Sequence, residues 1–202
     1  QREDGRFAVL FIDLDRFKGV NDTFGHSVGD VVLRESARRV TGCVRGSDTV
    51  SRLGGDEFTV LLTRIQRPED AGRVAESIVS AFSQRFDIGD QQSYLGASVG
   101  IASYPEDGAS AEELLKNADT AMYRAKASGR SQAVYFEERM NAEAVSRLVL
   151  HRDLRRAIER GEFELHYQPL VSTTSRQPTG AESLIRWRHP RLGTLPPVEF
   201  VP

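Results

Sequence analysis

The order of apolar and amphipathic segments along the chain predicts an α/β fold. Residues 6–14 form a nearly continuous apolar run rich in β-formers, which predicts a central strand buried on both faces. A helix is predicted after it, because apolar residues recur there at helical spacing. The residues of that predicted stripe are Leu33, Ala37, Val40 and Val44.

A hairpin is predicted next, with strands over residues 49–53 and 58–62. Gly54 and Gly55 lie between these strands, and glycine tolerates the positive φ angles of a tight turn. By the two-residue period of a strand, three apolar residues of the second strand share one face. They are Phe58, Val60 and Leu62.

Later patterns predict three more helices and three more strands. They are, in chain order, a helix from Pro68, a strand over 94–104, a helix from a Ser110–Glu113 capping box to Gly129, a strand over 132–136, a charged helix over 138–160 that ends at Gly161, and a strand over 164–171. Strands that alternate with helices, together with one hairpin, indicate a mixed sheet with helices on its faces.

Composition narrows the function classes. The 202-residue chain has a formal net charge of -2 and a pI near 6.1, so it has no global attraction for DNA or RNA. Its single cysteine, Cys43, excludes a disulfide framework and fits a reducing, cytoplasmic compartment. No apolar run approaches the ~20 residues that span a bilayer, so we expect no membrane contact by this stretch.

Acidic residues at two predicted strand ends are candidates for metal binding. Asp13 and Asp15 lie at the end of the first strand, and Asp56 and Glu57 lie at the hairpin tip. If the first strand and the hairpin are neighbours, Asp13, Asp56 and Glu57 come together as hard oxygen ligands for Mg²⁺. A solvated acidic turn is the alternative interpretation of the hairpin tip.

Three segments carry a resemblance to a known family. FIDLDRFKGVNDTFGHSVGD, RLGGDEF and ADTAMYRAKASGR occur in this order, and together the sequence from Phe7 to Phe136 resembles a GGDEF domain. Members of this family are diguanylate cyclases, which condense two GTP molecules into cyclic di-GMP and release two pyrophosphates. The resemblance implies a palm-like nucleotide-cyclase fold of the α/β (α+β) class, with a mixed, mainly antiparallel sheet flanked by helices.

The resemblance also implies roles for individual residues. Two Mg²⁺ or Mn²⁺ ions would be held by Asp13, the Leu14 carbonyl, Asp56 and Glu57. Asp56, Glu57 and Lys18 would be catalytic. GTP would be bound by Phe17, Lys18, Asn21, Asp30, Gly54, Gly55, Lys126 and Arg130, with Asn21 and Asp30 contacting guanine. For single residues, an Asx turn at Asn21 and helix capping by Asp30, Lys126 or Arg130 are the structural alternatives.

The resemblance further implies regulation and assembly. Arg45 and Asp48, an RxxD motif before the glycine pair, would bind cyclic di-GMP at an inhibitory site, with Arg52 as an additional contact. A surface ion pair is the alternative for this motif. Because one site holds one GTP and the product contains two guanylates, the family works as a two-fold homodimer.

The last part of the chain resembles the beginning of an EAL domain, a cyclic di-GMP phosphodiesterase barrel. Glu182 would be its first metal ligand and Arg186 a phosphate contact, while Ser183 replaces the alanine of the motif. A barrel of this type needs ~250 residues, so we expect this part alone to be incomplete. We therefore divide the chain into an N-terminally truncated GGDEF domain (1–137), a helical linker (138–161) and the start of an EAL domain (162–202).

The sequence leaves two functional hypotheses open. The first is an active cyclase within a GGDEF–EAL tandem protein whose other regions could tether it to a membrane. The alternative is a catalytically silent module that binds GTP and regulates an adjoining EAL phosphodiesterase.

Overall fold

The computed structural model describes residues 5–88 and 91–201, and the chain divides into two compact units after Asn141. In the first unit the strands are β1 (Phe7–Asp15), β2 (Thr49–Gly54), β3 (Glu57–Leu62), β4 (Phe86–Ile88), β5 (Gln91–Ser93), β6 (Gly96–Tyr104) and β7 (Ala133–Tyr135). The helices are α1 (Phe17–Phe24), α2 (His26–Gly42), α3 (Pro68–Ser83) and α4 (Ala111–Ala127).

The central sheet has the strand order β2-β3-β1-β6-β7. All neighbouring strands are antiparallel except β6 and β7, which are parallel. This confirms the predicted mixed, mainly antiparallel sheet with helices. The central position of β1 explains its continuous apolar sequence, because both of its faces are covered.

The two faces of β1 belong to two separate apolar cores. Leu10 and Ile12 are fully buried in the larger core, which also includes residues of α2 and α3. Val9 and Phe11 point to the opposite face and pack in a smaller core with residues of α4. The next odd-numbered positions, Asp13 and Asp15, therefore continue the α4 face of the strand.

Strand β6 and helix α4 approach each other at Gly100. A methyl group at this position would overlap the Ala118 carbonyl oxygen and the Met122 amide nitrogen, which belong to the helix backbone. Backbone atoms in a packed core have little room to shift. Glycine at this position is therefore what allows α4 to lie directly on the sheet.

We expect Gly100→Ala to lower the free energy of unfolding by about 2–3 kcal/mol, because overpacking forces the helix away from the sheet. Gly42→Ala is the matched control, since a methyl group at Gly42 would meet nothing within 4 Å. Urea denaturation of both variants measures the difference. Equal stability of the two variants would contradict this account of the contact.

Three details of the first unit differ from the predictions. Helix α2 ends at Gly42, so Val44 follows the helix, although its side chain still packs against the larger core. Helix α1 and the small β4–β5 hairpin were not predicted from the pattern of apolar residues. In the predicted capping box, Ser110 accepts from the Glu113 amide, but the Glu113 carboxylate binds the Ala109 amide instead of that of Ser110.

One arginine joins the end of α2 to the end of α3. Arg39 donates hydrogen bonds to the carbonyl oxygens of Ala81 (2.8 Å), Gln84 (2.7 Å) and Arg85 (2.6 Å). Its guanidinium also lies 3.7 Å from the centre of the Phe86 ring. Ala81 is in the last turn of α3, Gln84 is its C-cap and Arg85 follows it, so these carbonyls have no partner within the helix. Arg39 therefore satisfies the end of one helix from another.

The second unit contains a three-stranded antiparallel sheet with the order β10-β9-β8. Its elements are β8 (Phe163–Val171), β9 (Pro178–His189), β10 (Gly193–Leu195) and α6 (Pro197–Phe200), and the division between the units falls within α5 (Glu138–Glu159). Trp187 is fully buried among Leu150, Ala157 and Phe200, so the later part of α5 packs in this core. Within residues 142–201 the strands form no closed barrel. The linker boundaries of 138–161 stay a prediction.

Candidate functional site

The pairing of β1 with β3 brings the predicted acidic residues together. In this antiparallel register, Asp13 lies directly opposite Glu57. The backbone N–H of Leu14 donates to the carbonyl oxygen of Asp56 at 3.3 Å. The first strand and the hairpin are therefore neighbours, as the sequence predicted, and both acids of the hairpin tip lie beside the end of β1.

Asp13 is the most buried of these acids, with an exposed fraction of 5%. Its carboxylate forms an ion pair with the Lys126 ammonium of α4, at a distance of 2.6 Å. Burial raises the pKa of Asp13; Lys126 opposes that rise, while the negative charges of Asp56 and Asp15 add to it. The structure thus concentrates negative charge at this end of β1 and supplies one cation beside it.

The acidic residues fit a divalent cation held jointly by protein and substrate. Among the described residues, no three His, Cys, Asp or Glu side chains form a ready-made metal group. Mg²⁺ rarely uses such a group, because it binds one or two carboxylates together with phosphate oxygens and water. The negative charge of Asp56 raises the pKa of Asp13, and Glu57 faces Asp13 across the strands. These oxygen donors are the type that Mg²⁺ or Mn²⁺ prefers.

The hairpin tip is open on the side of its glycines. Gly55 has a φ of 52°, and a methyl group at Gly54 or Gly55 would meet nothing within 4 Å. The Arg52 guanidinium donates to the Gly55 carbonyl oxygen at 2.8 and 3.0 Å. Arg52 therefore fixes the turn, while the surface above the two glycines is free for a ligand.

Helices α1 and α2, which carry the two predicted guanine-contacting residues Asn21 and Asp30, pack closely at Gly29. Gly29 is next to Asp30 in α2, and a methyl group at Gly29 would overlap the Asn21 amide oxygen of α1. The Phe17 ring packs at the same point and is buried, whereas Lys18 and Asp30 are exposed. Sequence reasoning missed Gly29, although a glycine in the first turn of a helix indicates such a close contact.

The C-terminal end of α4 carries the two predicted phosphate contacts. Lys126 lies in the last turn, and Arg130 follows the helix with its backbone N–H bonded to the Ala125 carbonyl at 3.0 Å. Lys126 thus lies near Asp13, while the Arg130 side chain is on an exposed segment. Sequence reasoning also left Asp15 without a role, and the structure buries it beside this segment.

The RxxD motif forms a local turn. The Asp48 carboxylate accepts from the backbone N–H of Arg45 at 2.9 Å and from that of Thr63 at 3.1 Å. Arg45 and Asp48 line a cavity of about 290 Å³ that also includes Arg64 and Arg73. Asp48 thus has a structural role, while the exposed Arg45 side chain is available to a ligand. Arg52 does not line this cavity, so the predicted three residues come together only in part.

The two residues of the second unit lie on β9. Glu182 is exposed and opposite Gln168, and Arg186 is opposite Glu164. Arg186 donates to the carbonyl oxygen of Ile185 at 2.9 Å. They lie four positions apart and therefore on the same face of the strand.

Over the residues that the structure describes, none of the helices is both long enough and apolar enough to cross a bilayer.

Comparison with known proteins agrees with this geometry. The family described as "Diguanylate cyclase, GGDEF domain" matches residues 1–132, and the EAL domain family matches residues 151–202. The bifunctional diguanylate cyclase/cyclic di-GMP phosphodiesterase MucR of Pseudomonas aeruginosa is 49% identical over 201 residues, which are 100% of this chain and 29% of that protein. The cyclic di-GMP phosphodiesterase NbdA of the same organism is 38% identical over 194 residues, which are 96% of this chain and 25% of that protein.

A solved structure extends the similarity to the fold. The crystal structure of the GGDEF domain of YfiN from Pseudomonas aeruginosa superimposes with a TM-score of 0.66 at 43% sequence identity. The match covers 67% of this chain and 84% of that domain. The chain spans less than a third of the length of MucR and of NbdA. The chain therefore belongs to the GGDEF family of diguanylate cyclase domains and continues into the start of an EAL domain.

Proposed function

We propose that the GGDEF domain of this chain is an active diguanylate cyclase. The observation that carries the proposal is the direct opposition of Asp13 and Glu57 across β1 and β3, with Lys126 bound to Asp13 at 2.6 Å. Like charges placed opposite each other destabilise a sheet. A site that keeps them beside a cation is suited to binding a metal–triphosphate complex.

The proposed reaction joins two GTP molecules in two equivalent steps. In each step the 3′-oxygen of one GTP forms a bond to the α-phosphorus of the other, and the bond from that phosphorus to the bridging oxygen breaks. Pyrophosphate leaves, and the hydroxyl proton passes to a base, for which Glu57 is the nearest candidate. Two such steps close the ring of cyclic di-GMP.

Asp13, Asp56, Glu57 and the Leu14 carbonyl would hold the metal. Bound Mg²⁺ supplies positive charge that neutralises the triphosphate and polarises the α-phosphorus. Lys18, Lys126 and Arg130 would bind the outer phosphates. Asp13, Asp56 and Glu57 form what we call the acid cluster. Lys126 would contribute positive charge there, since its ammonium already contacts Asp13.

The close packing of α1 and α2 supports guanine specificity. Asn21 of α1 lies against Gly29 of α2, and Asp30 is the next residue of α2, so an amide and a carboxylate are available where the two helices meet. Together these groups would pair with the N1–H, N2–H₂ and N3 edge of guanine, and adenine lacks the N1–H and N2–H₂ donors. Each chain would bind one GTP, and a two-fold homodimer would bring two nucleotides together.

A regulatory role is the second candidate. NbdA, a relative that matches 96% of this chain, is named as a phosphodiesterase alone, whereas MucR is named as bifunctional. If this chain resembles NbdA in function, its GGDEF domain would bind GTP without turnover and act on an adjoining EAL domain. The acid cluster favours the cyclase, because binding alone does not require two opposed acids. In either case we propose a cytoplasmic location, where GTP is available.

Competition binding tests the proposed substrate class. The 202-residue chain should bind a GTP analogue with a methylene bridge between the α- and β-phosphorus in the presence of Mg²⁺, and excess ATP should not displace it. The analogue binds without being condensed, so affinity is measured separately from turnover. Equal affinity for the ATP counterpart, or no binding of either nucleotide, would contradict the proposal.

Arg45 provides a test of product inhibition. We expect Arg45→Ala to weaken inhibition by cyclic di-GMP by at least about tenfold, because a guanidinium bound to phosphate or guanine is lost. Uninhibited turnover should stay the same, since Arg45 is outside the acid cluster. Initial rates at increasing cyclic di-GMP measure the effect.

Asp48→Ala is a poor substitute in that test, because the Asp48 carboxylate also holds the backbone of Thr63. The better control is Arg64→Ala, which removes another guanidinium from the lining of the same cavity. Inhibition that is unchanged in Arg45→Ala would rule out the RxxD turn as the product site.

A further inference from the structure

Asp15 is a buried carboxylate to which neither the metal site nor the substrate site assigns a role. Its exposed fraction is 5%, and it is at the end of β1, two residues after Asp13. One carboxylate oxygen accepts from the Ser98 hydroxyl of β6 at 2.8 Å. The other accepts from the backbone N–H of Ser131 at 2.9 Å and from its hydroxyl at 3.2 Å. Both oxygens are therefore already bound to protein donors.

The segment that Asp15 binds has an unusual backbone. Gly129, Arg130 and Ser131 have consecutive φ angles of 121°, 65° and 48°. Residues other than glycine rarely adopt positive φ, and such residues occur together when the surrounding structure holds them there for function. The hydrogen bonds from Ser131 to Asp15 provide such support. Arg130 is the residue directly before Ser131, so they also restrain its backbone.

Gly96 shows how closely this arrangement is packed. A methyl group at Gly96 would lie 2.6 Å from an Asp15 carboxylate oxygen and would overlap the Ser131 hydroxyl. The start of β6 therefore leaves room for the contact between the end of β1 and the segment after α4. Three distant parts of the chain meet at one carboxylate.

We propose that Asp15 is a positioning residue that fixes the Gly129–Ser131 segment and thereby directs Arg130 toward the triphosphate. The inference rests on the proposed function for its ligand, but not for the link between Asp15 and the segment. Asp13 and Asp15 lie on one face of β1, but they contact different parts of the protein. Asp13 faces Lys126 and the acid cluster, whereas Asp15 organises the backbone that carries the second phosphate contact.

Two measurements on the 202-residue chain test this proposal. Hydrogen exchange at the Ser131 amide reports the contact with Asp15 directly. Binding of the methylene-bridged GTP analogue with Mg²⁺ reports its consequence at Arg130. In Asp15→Asn, the bonds from Ser131 lose their charged acceptor, so we expect exchange at Ser131 to accelerate by about tenfold or more.

A double-mutant cycle separates positioning from general stability. We expect Asp15→Asn and Arg130→Ala each to weaken analogue binding by about tenfold or more, since Arg130→Ala removes a charged contact to phosphate and Asp15→Asn releases the segment that positions it. The double variant should bind no more weakly than Arg130→Ala alone, because Asp15 acts through Arg130. Ser98→Ala is the matched control, since it removes an Asp15 partner outside the segment and should leave both readouts within about twofold.

The outcomes distinguish the inference from the proposed function. Unchanged exchange at Ser131 in Asp15→Asn, or losses of affinity that add in the double variant, would overturn the role of Asp15. Arg130→Ala binding as tightly as the unsubstituted chain would overturn the proposed phosphate contact, whatever the exchange shows. If Asp15→Asn does not fold, Ser131→Ala removes only the 3.2 Å bond, and it should change both readouts in the same direction by a smaller factor.

Discussion

Replacing Glu57 with glutamine is expected to reduce cyclic di-GMP formation by about 10²–10³-fold, which is the scale of losing one charged group that stabilises the transition state. Thermal stability should stay the same or rise, because the substitution removes one of two like charges that face each other across β1 and β3. Glutamine keeps the size and packing of the side chain. A large loss of activity without a loss of stability is the signature of a functional acid. Initial rates and melting temperatures measure the two effects.

The control for this experiment is Glu112→Gln, which makes the same chemical change at an exposed position in the first turn of α4. Its activity should equal that of the unsubstituted chain. If Glu57→Gln unfolds at a clearly lower temperature and keeps its activity, Glu57 has a structural role, and the acid cluster does not carry the reaction.

Replacing Arg39 with alanine is expected to lower the free energy of unfolding by about 3–4 kcal/mol, among the largest effects of a single substitution. The substitution removes three hydrogen bonds from a charged donor to carbonyls at the end of α3 and the contact with the Phe86 ring. It leaves those carbonyls without their partner, which costs more than the bonds contribute. Urea denaturation at neutral pH measures the change.

Arg38→Ala is the matched control, because Arg38 binds the same Glu35 carboxylate but is exposed. We expect Arg38→Ala to leave the urea midpoint almost unchanged, because an exposed ion pair contributes little to stability. Hydrogen bonds from Arg38 and Arg39 lower the pKa of Glu35 from 4.5 to about 2. The stability from Glu35 is therefore full above pH 4.5 and is lost as the pH falls toward 2. The carbonyl bonds do not titrate, so the deficit of Arg39→Ala should shrink in that range but persist.

The sequence predicted the parts of the fold in which local pattern and burial agree. Strand β1 was predictable because both of its faces are buried, and β3 because Phe58, Val60 and Leu62 alternate on one covered face. Helix α1 was missed, because its sequence contains Gly, Asn, Asp and Thr and is only 8 residues long. The burial of Phe17 and Val20 against the rest of the unit stabilises it. Tertiary packing, which a local pattern does not contain, decides that element.

In the candidate site, too, some contacts were predictable from the sequence and others were not. The opposition of Asp13 and Glu57 followed from a strand next to a hairpin, which the sequence suggested. The bond from Lys126 to Asp13 did not follow, since it depends on how α4 lies on the sheet. The contacts of Asp15 were not predictable, because its partners Ser98 and Ser131 are 83 and 116 residues away in sequence. Contacts of such range appear only when the sheet order is known.

Product analysis tests the central claim most directly. The 202-residue chain is incubated with GTP and Mg²⁺ at a high protein concentration that favours the proposed homodimer, and the nucleotides are separated by chromatography. An active cyclase yields cyclic di-GMP with two pyrophosphates for each product molecule, and the product is absent with Glu57→Gln. GTP that is bound but recovered intact from the dimeric chain would contradict the account and leave the domain as a regulatory module.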